Sequence, residues 1–275
     1  DLEILKKFGI SDVNRPDLEA WEEFLHRIKN PKKVVNIGLV GKYVELADAY
    51  KSISEAFVHA GAANETKVEL TYVHSEEIDE SNYVSTLKDY DGILVAPGFG
   101  SRGIDGKLLT VNYARTNDIP FFGICLGMQC AVIEFARNVL ALDGAHSTEI
   151  NPKARHPVID LMEEQKSVTE KGGTMRLGSY KCELMHGSES YKCYRKEEIG
   201  ERHRHRYEFN NRYLTDFRNA GMIPCGINPQ SGLVEIIEIP SHRWFVGVQF
   251  HPEYSSTVLR PHPLFVGFVK ACIKK

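Results

Sequence analysis

Residues 34–40, 68–73, 92–96 and 121–124 form short apolar runs of strand length, and helical stretches lie between or after them. The helical stretches are predicted around 47–60, ended by Gly61, around 108–115, and from Leu126 to about 139. Such alternation admits few folds. Parallel neighbours need a crossover, and crossover helices cover both faces of the sheet they connect. The run 92–96 is apolar without interruption, as a strand buried on both faces requires. From about residue 151 to 206 the rhythm breaks. A glycine turn at Gly172 and Gly173 and short β-like pieces there predict antiparallel excursions and a mobile loop. Regular elements return with a helix near 213–220, strands at 233–238 and 245–249, and a closing helix around 264–273. The expected fold is α/β: a mostly parallel central sheet with helices on both faces, plus short antiparallel excursions, in one domain over 33–275. Residues 1–32 are rich in Glu, Lys and Asp. Their helical pattern through Leu18, Trp21, Leu25 and Ile28 stops before Pro31 and reads as a linker helix.

Bulk properties narrow the function classes. A formal charge of -3 over 275 residues gives no global positive field for nucleic acid or an anionic membrane. No apolar run is long enough to span a bilayer, and no signal-peptide pattern is visible. Six cysteines contain no CxxC pair that would suggest zinc or a redox dithiol, so a reducing cytoplasm is the expected setting. The chain opens at Asp1 inside a charged helical pattern, which reads as a piece of something longer.

Gly123-Ile124-Cys125-Leu126-Gly127 has the form glycine, any residue, nucleophile, any residue, glycine, placed where an apolar strand meets a helix. A sharp strand-to-helix turn needs small flanking residues and exposes the sulfur at a helix N-terminus. Backbone amides and the helix dipole there favour thiolate over thiol, and the Leu126 amide is free to point into an oxyanion hole. A cysteine in such a turn is as readily a buried structural residue. His251 shifts the balance. It follows the apolar strand 246–250, so it and Cys125 share the carboxyl edge of the sheet, where open α/β folds bind ligands. Pro252 forces a turn that lets Glu253 fold back on the imidazole, the orienting role of a third triad member.

Gly123-Ile124-Cys125-Leu126-Gly127-Met128-Gln129, followed much later by Gln249-Phe250-His251-Pro252-Glu253, resembles the class I (triad) glutamine amidotransferases. Further segments resemble those members whose glutaminase domain follows a synthetase domain. They are Val40-Gly41-Lys42-Tyr43, Gly98-Phe99-Gly100-Ser101-Arg102-Gly103, Gly144-Ala145-His146-Ser147-Thr148-Glu149, Gly173-Thr174-Met175-Arg176-Leu177-Gly178, Arg202-His203-Arg204-His205-Arg206-Tyr207-Glu208 and His262-Pro263-Leu264-Phe265. The resemblance runs from about Lys33 onward. It implies that Cys125 attacks the amide of L-glutamine, with His251 and Glu253 completing the triad. It also implies an oxyanion hole from the amides of Gly98 and Leu126. Glu149 would hold the α-ammonium, and Gln129 and Arg206 would position the amino-acid end, with Phe99 beside the pocket. The family loop usually reads Pro-Gly-Gly-Phe-Gly. Here Pro97 replaces its first glycine and has no amide hydrogen, so Gly98 alone is the donor there. By the same resemblance this domain carries no metal or cofactor. ATP, magnesium and UTP belong on the synthetase domain, which is the expected partner in a homo-oligomeric full-length enzyme.

Two features imitate other chemistry. Gly98-Phe99-Gly100-Ser101-Arg102-Gly103 satisfies a dinucleotide fingerprint, but it follows a later strand, and Asp118 precedes its strand instead of ending one. Residues 202–206 alternate Arg and His and read as a partly solvated basic stretch, a poor metal site. A peptidase or γ-glutamyl hydrolase with the same triad, or an inactive regulatory domain, remain open on the residues alone.

Overall fold

The computed structural model describes residues 2–10, 17–46, 48–161 and 175–273. Its strands in chain order are β1 (Lys33–Gly41), β2 (Thr66–His74), β3 (Gly92–Val95), β4 (Phe121–Ile124), β5 (Ala145–Ser147), β6 (His156–Leu161), β7 (Arg176–Leu184), β8 (Glu198–His205), β9 (Tyr207–Phe209), β10 (Ile223–Ile227), β11 (Val234–Glu238) and β12 (Phe245–Val248). The helices are α1 (Leu2–Lys7), α2 (Glu19–Lys29), α3 (Lys51–Ala63), α4 (Tyr83–Leu87), α5 (Ile104–Thr116), α6 (Leu126–Asn138), α7 (Glu189–Tyr194), α8 (Leu214–Ala220) and α9 (Pro263–Cys272).

A 9-stranded sheet runs in the order β2-β1-β3-β4-β12-β11-β10-β7-β8. Pairing is parallel from β2 through β12 and antiparallel from β12 through β8. A second, 3-stranded sheet joins β5, β6 and β9. The unbroken apolar strands are explained by alternation between two cores. Phe121 stacks on Phe245 at 4.3 Å on the face covered by α5 and α6, while Phe122 packs edge-on to Phe265 at 5.3 Å beneath α3 and α9. Each such ring removed from water contributes about 1.5–3 kcal/mol.

Several local expectations change. The helix predicted from 47 begins instead at Lys51, because the Tyr50 hydroxyl accepts from the Lys42 amide at 3.0 Å and holds the preceding segment in a turn. Gly61 does not end that helix. It lies inside it, where a Cβ would stand 2.6 Å from the Thr66 carbonyl oxygen, so its smallness serves packing on β2. Among the described residues of 1–32 there are two helices, not one, and the apolar stripe is not the face that packs. Trp21, Leu25 and Ile28 are exposed, and Phe24 makes the contact, 6.1 Å from the His59 ring. The mobile loop expected at Gly172 and Gly173 lies outside the described residues. Among the described residues no helix is long and apolar enough to cross a membrane.

Candidate active site

Strand register brings the site together. Ile124 of β4 lies beside Val248 of β12, and Gly123 lies beside Val95 of β3. The residues that continue these strands, Gly98, Cys125 and His251, therefore converge at one carboxyl edge.

Cys125 caps α6 with φ +52° and ψ −103°, a backbone conformation a residue with a Cβ seldom adopts. Its amide donates to the Val248 carbonyl at 2.7 Å, tying the turn to β12. The flanking glycines make the turn possible. A Cβ on Gly127 would stand 2.1 Å from the Val95 carbonyl oxygen, and one on Gly123 would stand 2.8 Å from the Gly127 carbonyl. The sulfur accepts a hydrogen bond from Gln249 Nε2 at 3.6 Å.

Beyond Phe250 the chain turns through a 3-10 helix, Pro252–Ser255, with proline at its start. The turn returns Glu253, whose Oε1 meets His251 Nδ1 at 2.8 Å. The neutral ring then carries its hydrogen on Nδ1 and keeps Nε2 as the base. Nε2 is buried, with no hydrogen-bond partner among the described residues. Burial opposes charge on the ring, but Cys125 and Glu253 outweigh it and hold its pKa up at about 10. The ring is thus held as an imidazolium beside the Cys125 sulfur. Tyr254 stacks on it at 5.4 Å.

These groups open into a cavity of about 420 Å³, a size suited to a small molecule. Gly98, Phe99, Cys125, Gln129, Glu149, Arg206 and His251 all border it, while Leu126 begins α6 behind Cys125 and Glu253 stands behind the imidazole. A carboxylate and a guanidinium on one cavity wall suit a zwitterion. Glu149 Oε1 accepts from the Gly100 amide at 3.0 Å. Gln129 borders the cavity with its amide nitrogen engaged, donating to the Tyr207 carbonyl at 3.0 Å and to Gln249 Oε1 at 3.2 Å. Phe99 is 70% exposed, so it is a rim residue and not packing.

The sequence reading missed Gln249, Tyr207 and Tyr254 as parts of the site. Gln249 was within reach, since alternation along a strand puts it on the same side as His251. The basic stretch at 202–206 is only half solvated. His203 and His205 point inward from β8 and meet at 2.7 Å, while Arg202 and Arg204 point outward. Among the described residues no group of three or more His, Cys, Asp or Glu side chains could hold a metal ion.

The family model for "Glutamine amidotransferase class-I" matches residues 45–271. The chain is 61% identical over 267 residues to a CTP synthase of Christiangramia forsetii, covering 97% of the chain and 49% of that relative. It is 55% identical over 274 residues to a CTP synthase of Porphyromonas gingivalis, covering 100% of the chain and 51% of that relative. The chain thus spans about half the length of the curated relatives it matches. Among solved structures it resembles the Trypanosoma brucei CTPS glutaminase domain with bound acivicin, at 39% identity and TM-score 0.82, over 86% of this chain and 93% of that one. The chain belongs to the class I glutamine amidotransferases, among the glutaminase domains of the CTP synthases.

Proposed function

We propose that this chain hydrolyses L-glutamine to glutamate and ammonia through a thioester on Cys125, with His251 and Glu253 as its partners. The observation that carries this reading is the meeting of Cys125, at its strained helix cap, with the His251–Glu253 pair at the mouth of a cavity bearing Glu149 and Arg206.

The thiolate attacks the side-chain amide carbon. The carbonyl electron pair moves onto oxygen, which takes hydrogen bonds from the Gly98 and Leu126 amides. The carbon–nitrogen bond then breaks as the His251 imidazolium gives its proton to the leaving nitrogen, and ammonia departs. The neutral imidazole next takes a proton from water, whose oxygen attacks the thioester, and glutamate leaves as the thiolate is restored. Glu149 holds the α-ammonium, and Arg206 the α-carboxylate. The ammonia serves a synthetase domain that converts UTP to CTP, and ATP, magnesium and UTP bind on that domain.

The test is glutamate release from L-glutamine set against release from γ-glutamyl peptides, with 6-diazo-5-oxo-norleucine as a covalent probe. Glutamine should be preferred, and peptide mass mapping should find the probe on Cys125. Burial pushes the thiols of Cys130 and Cys193 up to about 11 and about 12, and those of Cys182, Cys225 and Cys272 also upward, so they are poor competitors. A label found mainly on any of these, or a preference for peptides, refutes the reading.

A further inference from the structure

The proposed chemistry leaves one buried ammonium without a role. Lys107 reaches from α5 into the core with no exposed surface, and its Nζ donates to the Ala96 carbonyl at 2.9 Å. A lysine is almost never fully buried without a specific reason, because its charge is costly to strip of water. Its position supplies one. A Cβ placed on Gly98 would lie 3.9 Å from Lys107 Nζ and 3.9 Å from Lys42 Cε, so both lysines lie directly against the oxyanion loop. Lys42, just past β1, donates to the Phe99 carbonyl and, at 3.4 Å, to the Gly100 carbonyl.

The loop needs such holds. The last bond of the β1–β3 ladder is the Ala96 amide to the Val40 carbonyl at 3.0 Å, and beyond it Pro97 has no amide hydrogen with which to anchor itself. Its carbonyls on both sides of Gly98 are instead gripped by ammonium groups. Gripping a carbonyl fixes the plane of its peptide, and with the Ala96–Pro97 plane fixed and the proline φ locked, the peptide that carries the Gly98 amide turns only about the Pro97 Cα–C bond. We infer that Lys107 is a positioning residue for the glutaminase reaction, holding the Ala96 carbonyl so that the Gly98 N–H faces the oxygen of the reacting amide. Burial lowers the pKa of Lys107 to about 8, which still leaves it mostly an ammonium at neutral pH. Because Lys107 acts through a peptide plane, its loss should slow the step that builds the oxyanion and spare both glutamine affinity and the sulfur.

This inference rests on the function proposed above, and the experiment separates the two. Glutamine hydrolysis by the chain is compared with Lys107→Met, which keeps the shape and removes the donor. Iodoacetamide alkylation of Cys125 is measured in parallel, because that displacement forms no oxyanion. Lys107→Met should lower kcat by about ten- to a hundredfold, somewhat less than deletion of an oxyanion donor. KM and the alkylation rate should each stay within about threefold. Lys107→Gln keeps an N–H one bond short and should lose about three- to tenfold in kcat with the same pattern. It carries the test if circular dichroism shows that Lys107→Met does not fold. A kcat within about twofold of wild type in a folded variant, or a parallel fall in kcat and alkylation, overturns the inference. A wild-type chain that releases no glutamate from glutamine overturns the proposed function and the inference with it.

Discussion

Cys125 stands in a backbone conformation that costs on the order of 1–3 kcal/mol for a residue with a Cβ. The surrounding ladder bond to Val248 and the close glycines hold it there. Replacement by glycine should therefore reverse the usual order. Glycine ordinarily destabilises by about 0.5–1 kcal/mol relative to alanine, yet Cys125→Gly should unfold at a denaturant concentration no lower than Cys125→Ala. A clearly lower midpoint for the glycine variant would show that the turn stores no strain. Activity should divide the triad differently. Cys125→Ala and His251→Ala remove the nucleophile and the base and should each nearly abolish glutamate release. Glu253→Ala only frees the ring to reorient and should leave a measurable rate. Equal loss in a folded Glu253→Ala would mean that the carboxylate does more than orient. Residues like these were legible in sequence because their chemistry needs special backbone and local spacing: an elbow between glycines, and a histidine and glutamate on either side of a proline. Lys107 was not legible. A lysine within a helical pattern normally faces water, and only the three-dimensional path of the 96–100 loop shows what it holds.

At the scale of elements, α6 can begin where it does because it lies almost on the backbone of β3. A methyl group at Gly127 would strike the Val95 carbonyl oxygen at 2.1 Å, and backbone cannot swing aside as a side chain does. Gly127→Ala should lose about 3 kcal/mol or more of stability, at or past the upper end of ordinary overpacking. Gly98→Ala, whose methyl would meet Leu126 Cδ2 at 3.5 Å, should fold normally. Equal melting temperatures for the two variants would contradict this packing. The β7–β8 hairpin carries a pH signature. Burial, aided by Arg176 and His251, lowers the His203 pKa to about 3, and burial together with His203 also lowers that of His205. Both rings are neutral in the fold but take protons near pH 6.5 once unfolded. The His203 contribution to stability is therefore full above about 6.5 and falls as pH drops toward 3, by on the order of 2 kcal/mol at pH 5. Relative to His203→Gln, the wild-type urea midpoint should fall between pH 7.5 and 5. Equal slopes in the two proteins would place the acid sensitivity elsewhere. β3 and β4 were readable because they are apolar on both faces and each leads to a helix. β10 was not, since Ile223-Pro224-Cys225-Gly226-Ile227 has the residues of a turn and pairs with β11 through two register shifts, between Pro224 and Gly226 and between Gly226 and Ile227.

At the scale of the whole molecule, the chain accounts for about half the length of the CTP synthases it resembles. The amidotransferase family model matches residues 45–271, within that half. The cavity beside Cys125 is bordered by a carboxylate, a guanidinium and a thiol, the groups that the proposed glutaminase reaction uses. The proposed division of labour therefore places ammonia production here and its use in the other half. Incubated with UTP, ATP, magnesium and ammonium, the chain alone should make no CTP, while still releasing glutamate from glutamine. Supplied with the separately purified other half, it should support CTP formation from either nitrogen source. The decisive arm uses Cys125→Ala in that mixture. Without the thiolate no thioester forms, so glutamine should yield no CTP, but ammonium added directly bypasses the missing step and should still be incorporated. Chromatography of the nucleotide products reads all three arms. CTP from the chain alone would put synthetase chemistry within this half. Loss of the ammonium-dependent reaction with Cys125→Ala would mean that this cysteine supports the partner's fold or chemistry as well as the release of ammonia.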